Sequence, residues 1–228
     1  MAKIKLGALA GEVSGSIGCY TFSHNRGGPY VRLRNVPDKY TTPDAMAAKS
    51  RLAASSSAWK TLSDADRLAW TSFSSANPVV DTLGEKRVLT GAQTYVMHAN
   101  RTLYASSTLP AVLPSSGPPA SLTSLSITAV AATPACVLTF TPTPLDADLR
   151  LWVSACYVDS PSINFIKKSI RLVGVSAVAA LTGVQFGPQI VARLGTMTVG
   201  QYLHVQVAVM NNVTGQISLP VDASSIIS

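Results

Sequence analysis

Acidic residues are scarce in this chain, with 11 Asp and Glu among 228 residues, and charged residues of both signs reach only 13%. Beside a hydrophobic fraction of 47%, so little charge excludes general disorder, which needs high net charge and low hydrophobicity. Cysteine is scarcer still. Cys19, Cys136 and Cys156 form no Cys-x-x-Cys pair and have no histidine close by, which excludes a zinc site of the usual spacing and a disulfide framework. Cys136 and Cys156 lie in strand-like runs, where a thiol behaves as a small apolar group, and a bridge between them is the alternative. No apolar run reaches the ~18 residues of a membrane span, and Lys3 and Lys5 precede only the short stretch Leu6 to Ala10. Neither a leader nor a membrane partner is therefore expected, and the chain is expected to be made in a reducing cytoplasm.

What is present begins with a basic, glycine-spaced arm. Strand-like stretches Ile17 to Ser23 and Tyr30 to Arg34 flank Asn25-Arg26-Gly27-Gly28, a turn signal suited to a hairpin. An isolated hairpin is marginally stable in water, so contact with a neighbouring surface is expected to order this one. The net charge of +7 is concentrated toward this end: residues 1–120 hold 13 Lys and Arg against 7 Asp and Glu, residues 121–228 only 5 against 4. The candidate contact residues of the arm are Tyr20, Phe22, Arg26, Tyr30, Arg32 and Arg34.

After the arm, Thr42-Pro43-Asp44 starts a helix with apolar positions at Ala45, Ala48, Leu52, Trp59 and Leu62. Ser63 with Asp66 three residues on starts a second, carrying Ala69, Trp70 and Phe73 inward and stopping before Asn77-Pro78. Thr82 to Leu89 suits a short hairpin or extended connection, and Thr90-x-x-Gln93 opens a third helix with Tyr95, Val96, Ala99 and Leu103 on one face. Residues 106–120 contain Pro110, Pro114, Pro118 and Pro119 and suit a linker. Beyond it, Leu122 to Val130, Ala135 to Thr141, Leu149 to Val158, Phe165 to Val175, Gln189 to Leu194, Tyr202 to Met210 and Gln216 to Pro220 are expected as strands. The fold expected is α+β and multidomain: an extended β-hairpin arm over 1–41, a small three-helix unit over 42–105, the linker over 106–120, and an all-β immunoglobulin- or fibronectin-like sandwich over 121–228.

The residues supply no catalytic, cofactor or metal constellation. His24, His98 and His204 fall in three separate segments, and no Gly-x-Ser-x-Gly elbow or phosphate-loop lysine is present. Asp64 and Asp66 suit a helix start, and Asp146 and Asp148 suit turn chemistry. Two binding alternatives remain. The arginines of the arm beside Tyr30 could hold single-stranded nucleic acid, and Trp152, Tyr157 and Tyr202 could hold carbohydrate or a receptor, although Trp152 and Tyr202 are expected in the core.

The run Phe22 to Arg34, the Thr-Pro helix start, the run Ser57 to Trp70, and Asn77-Pro78, Asp81, Leu83, Gly84 and Leu89-Thr90-Gly91 together resemble a group of small structural proteins of tailed bacteriophage virions. The resemblance covers roughly residues 7–104 and carries no catalytic residues. It implies a non-enzymatic virion component built in the host cytoplasm as a homo-oligomer or symmetric array, with capsid, connector or tail subunits as partners. Capsid decoration, a head–tail connector or neck position and a tail position are all compatible with it.

Overall fold

A computed structural model describes residues 2–3, 13–25, 28–34, 42–80, 85–106, 108–110, 113–114, 117–160, 163, 165–166 and 168–228. The chain is α+β and divides into two compact units, Met1–Met46 and Ala47–Ser228.

The first unit is an antiparallel sheet of β1 (Ala2–Lys3), β2 (Gly15–Ile17), β3 (Tyr20–Asn25) and β4 (Gly28–Leu33) in the order β1-β4-β3-β2. The expected hairpin is β3–β4, with Asn25 opposite Gly28 and Tyr20 opposite Leu33. The expected strand Ile17 to Ser23 is instead broken by a turn at Gly18-Cys19, which folds β2 back on β3. Gly18 takes φ +57°, a backbone angle that glycine reaches without penalty.

Helix α1 (Pro43–Thr61) begins where the Thr-Pro signal places it. Its inward residues are Ser55, Ala58 and Trp59, whereas Ala48 and Leu52 are exposed, so the apolar spacing of its first half marks no buried face. Helix α2 (Asp64–Ala76) is capped by Ser63, whose Oγ accepts from the Asp66 N–H at 3.1 Å. The short pair β5 (Val79–Val80) and β6 (Lys86–Arg87) follows; the tip of the expected 82–89 turn lies outside the described residues. Helix α3 (Gly91–Ser106) has a reciprocal capping box: the Thr90 N–H donates to Gln93 Oε1 at 3.0 Å, and the Gln93 N–H to Thr90 Oγ1 at 3.2 Å. Trp70, Tyr95 and Ala99 form the helical core, with Trp59, Phe73 and Leu113 packed on it. Leu113 belongs to the proline-rich segment, which is thus partly held against the helices.

Seven more strands and one helix complete the second unit. They are β7 (Ser124–Val130), β8 (Ala135–Thr141), β9 (Leu149–Val158), β10 (Arg171–Val175), β11 (Val184–Gln185), α4 (Gly187–Leu194), β12 (Tyr202–Asn211) and β13 (Val221–Ile226). They make two antiparallel sheets, β10-β9-β12-β13 and β11-β8-β7. A common core lies between them, with Leu138, Phe140, Leu151, Val153, Leu203, Val205 and Val207 almost wholly buried. Alternation along β9 and β12 selects the odd-numbered residues for this core, as a two-residue period requires.

Two expected strands are corrected. Gln189 to Leu194 is helical: Pro188 stands in the first turn of α4, and Ile190, Val191 and Leu194 recur on one side, with Ile190 fully buried. Gln216 to Pro220 supplies only a bridge from Ile217 to Met210, and the last strand is β13, whose Ser- and Asp-containing sequence gives no apolar signal. The expected strand at Phe165 to Val175 is shorter, starting at Arg171.

Candidate functional site

In the sheet of the first unit, residues opposed across a ladder stand on the same face. Tyr20 opposes Leu33 and Ile17, and Phe22 opposes Val31 and Gly15, so one face gathers Ile17, Tyr20, Phe22, Val31 and Leu33. Thr21 opposes Arg32 and Ser16, and Ser23 opposes Tyr30, so the other face is polar and basic. On that face Ser16 Oγ and Thr21 Oγ1 share a hydrogen bond of 2.9 Å. The apolar face is open: Ile17 is 70% exposed, Leu33 67% and Tyr20 49%. Phe22 and Val31, in the middle, are partly covered.

The six candidate arm residues therefore divide. Tyr20 and Phe22 belong to the apolar face, and Tyr30 and Arg32 to the polar one. Arg34, one residue past β4, is exposed and its N–H donates to the Cys19 carbonyl at 2.6 Å. Arg26 lies outside the described residues. Sequence reasoning missed Ile17, Val31 and Leu33 as members of the apolar set. The signal was the two-residue alternation of Tyr20-Thr-Phe22-Ser against Tyr30-Val-Arg-Leu33, hidden because β4 mixes aromatic and basic residues.

The other candidates are dispersed. Trp152 and Tyr202 are not in the core: both stand on the outer face of the β9–β12 ladder, opposite Ala208 and Val158. Tyr104 of α3 partly covers Trp152, at 5.3 Å between ring centroids, and Arg51 lies over the same Tyr104 ring. Tyr157 faces inward and its hydroxyl donates to the Gly195 carbonyl at 3.0 Å. The three aromatics thus share no platform for a sugar ring. Cys136 is in the core and Cys156 on the outer face of β9, and both are free thiols, as is exposed Cys19. Burial raises Cys136 to about 11, far from thiolate chemistry.

His204 Nε2 lies 3.7 Å from Asp222 Oδ1, with Cys156 opposite on β9. Burial raises the Cys156 thiol as well, opposing activation as a nucleophile. Among the described residues no group of three or more His, Cys, Asp and Glu could hold a metal ion.

His98 has a structural position. Its Nδ1–H donates to the Thr214 carbonyl at 2.8 Å, and Trp70 and Phe73 pack on its ring. Arg101 donates to the Gly215 carbonyl at 3.3 Å. Helix α3 thereby grips the β12–β13 turn, where Gly215 has φ +72° and its Cα approaches the His98 carbonyl so closely that a Cβ would sit 2.6 Å from it. Burial is the main cause that pushes His98 down to about 4, aided by Arg101 and opposed by the Thr214 hydrogen bond.

No family model matches the chain, and a search of the curated proteins finds no match. Among solved structures, an Fn3-like protein from Clostridium thermocellum is similar over 48% of this chain and 92% of its own, at 15% identity and a TM-score of 0.30.

Proposed function

We propose that this chain is a non-enzymatic structural subunit that holds other copies of itself through the apolar face of its amino-terminal sheet. The assembly is a virion of the tailed-phage type that residues 7–104 resemble. The carrying observation is the segregation of the two faces of β2–β4: five large apolar side chains on one, Tyr30 and Arg32 on the other. A second copy is the occupant because two such sheets stacked through their apolar faces, about 10 Å apart, leave Arg32 on the outside, in water. Such cover also takes the exposed Ile17, Leu33 and Tyr20 side chains out of water. The two-sheet region of residues 121–228 is then an immunoglobulin- or fibronectin-like module carried by the assembly, as a capsid decoration, connector or tail part.

The mass of the full chain as a function of concentration tests this. Phe22→Ser with Val31→Ser removes two contacts per copy, four in a pair. At about 1.5 kcal/mol or more for each buried side chain, the dissociation constant should rise at least about ten-thousandfold. A chain that is monomeric at all concentrations, or one whose self-association ignores these substitutions, refutes the proposed contact. In particles, deleting residues 1–36 should abolish incorporation.

The polar face keeps one rival in view, since Tyr30 and Arg32 share it with Thr21 and Ser23, a small platform for stacking and phosphate contact. Binding to single-stranded oligonucleotides that weakens steeply with salt and with Arg32→Gln would favour this rival.

A further inference from the structure

The outer face of the larger sheet carries a hollow of about 180 Å³ beside Trp152. Three stretches of chain build it. Strand β9 contributes Trp152 and Ser154, and β12 contributes Ala208 and Gln206, which stand opposite them across the ladder. The third is the segment leading into β13, which brings Ile217 and Pro220. That segment is pinned to β12: the Ser218 N–H donates to the Val209 carbonyl at 2.8 Å, and the Val209 N–H to Ser218 Oγ at 2.9 Å.

The walls are set before any ligand arrives. The Tyr104 ring packs on Trp152 at 5.3 Å between centroids, and the Arg51 guanidinium lies 5.0 Å over the Tyr104 ring. Gln206 Nε2 donates to Asp222 Oδ1 at 3.0 Å, which orients the amide and leaves its Oε1 to accept. Side chains already held in place lose little freedom when a ligand binds. None of the residues lining the hollow is charged.

We infer that this hollow is a subsite for one neutral saccharide ring, with its C–H face against Trp152 and its hydroxyls on Gln206 and Ser154. The lining selects that chemistry. Without Lys or Arg it offers no partner to a phosphate or carboxylate, which sets aside nucleotides and acidic sugars. A wholly apolar ring would leave the Gln206 amide and the Ser154 hydroxyl dewatered and unpaired. An aromatic wall beside amide and hydroxyl groups suits a ring that is apolar across its face and polar around its edge. The volume is below the ~300 Å³ at which pockets for drug-sized ligands begin, and suits a single ring. Trp152 serves here without Tyr157 or Tyr202. The inference is independent of the amino-terminal sheet.

The test is proton–nitrogen NMR of the full chain, titrated with the methyl glycosides of glucose, galactose, mannose and N-acetylglucosamine. Trp152→Phe identifies the Trp152 indole N–H signal while keeping a ring against Tyr104. At least one glycoside should shift that signal saturably, with a dissociation constant in the millimolar range expected for a single ring. Gln206→Ala and, separately, Ser154→Val should each weaken binding about fivefold, the worth of one hydrogen bond. Tyr202→Ser, on the same face of β12 about 20 Å along the strand, should leave it unchanged. Unchanged melting of the variants should accompany these effects. No shift with any of the four glycosides overturns the inference. So does binding that neither Gln206→Ala nor Ser154→Val weakens, or cyclohexanol binding as tight as that of the sugars.

Discussion

Acid should loosen the grip of α3 on the β12–β13 turn, through His98. The ring is 4% exposed, packed by Trp70 and Phe73, and its Nδ1–H is committed to the Thr214 carbonyl. Its ordinary value of 6.5 falls to about 4 in the folded chain, mainly by burial. The folded state therefore keeps a neutral ring between those values, while the unfolded chain takes up a proton. The stabilisation is complete above pH 6.5 and is lost progressively as pH falls toward 4. A shift of that size corresponds to about 3 kcal/mol, or roughly 10 °C in Tm for a chain of this length. The comparison is His98→Asn, whose side-chain amide can still donate to Thr214 but does not titrate. Melting both proteins at pH 7, 6, 5 and 4 cancels the carboxylates they share. The native chain should lose about 3 kcal/mol relative to the variant by pH 4, with most of the change below pH 6. Parallel curves for the two proteins would refute a buried neutral histidine at this joint.

Two further substitutions probe the frame. Gly187→Ala places a Cβ 1.9 Å from the Pro134 carbonyl oxygen, so α4 must shift off β8; urea melts should show a loss of about 1–3 kcal/mol or more. Ser63→Ala removes the acceptor for the Asp66 N–H and should cost about 1 kcal/mol, read in the same melts, with no effect on self-association.

Local signals in the sequence were strong where capping chemistry was explicit. Thr42-Pro43 stands at the start of α1, and Ser63 with Asp66 and Thr90 with Gln93 open their helices through side-chain capping hydrogen bonds. Strands β8, β9 and β12 were legible because alternation on a half-buried face has one solution. Gln189 to Leu194 was misread because six apolar-rich residues fit either period, and burial of Ile190 between the sheets decided for the helix. Strand β13 escaped notice since its ladder to β12 is held by backbone groups, with only alternate side chains partly covered. In the arm, residue types were legible but their facing was not, because the turn at Gly18-Cys19 sets which residues oppose one another. The expected inward register of Trp152 failed for a similar reason: a large aromatic on an outer face is unexpected until a helix such as α3 covers part of that face, while Tyr202 stands outward by the alternation of its own strand.

Strand β12 joins the α3-bound turn to the end where Tyr202 pairs with both Val158 and Ile226, and it is paired along its length with β9 and through Val207 with β13. Tension applied between those ends would run parallel to the strand and across its ladder hydrogen bonds. Those bonds would have to slide together instead of parting singly from one end. Pulling between those ends is thus resisted in shear, the direction in which a sheet yields least readily.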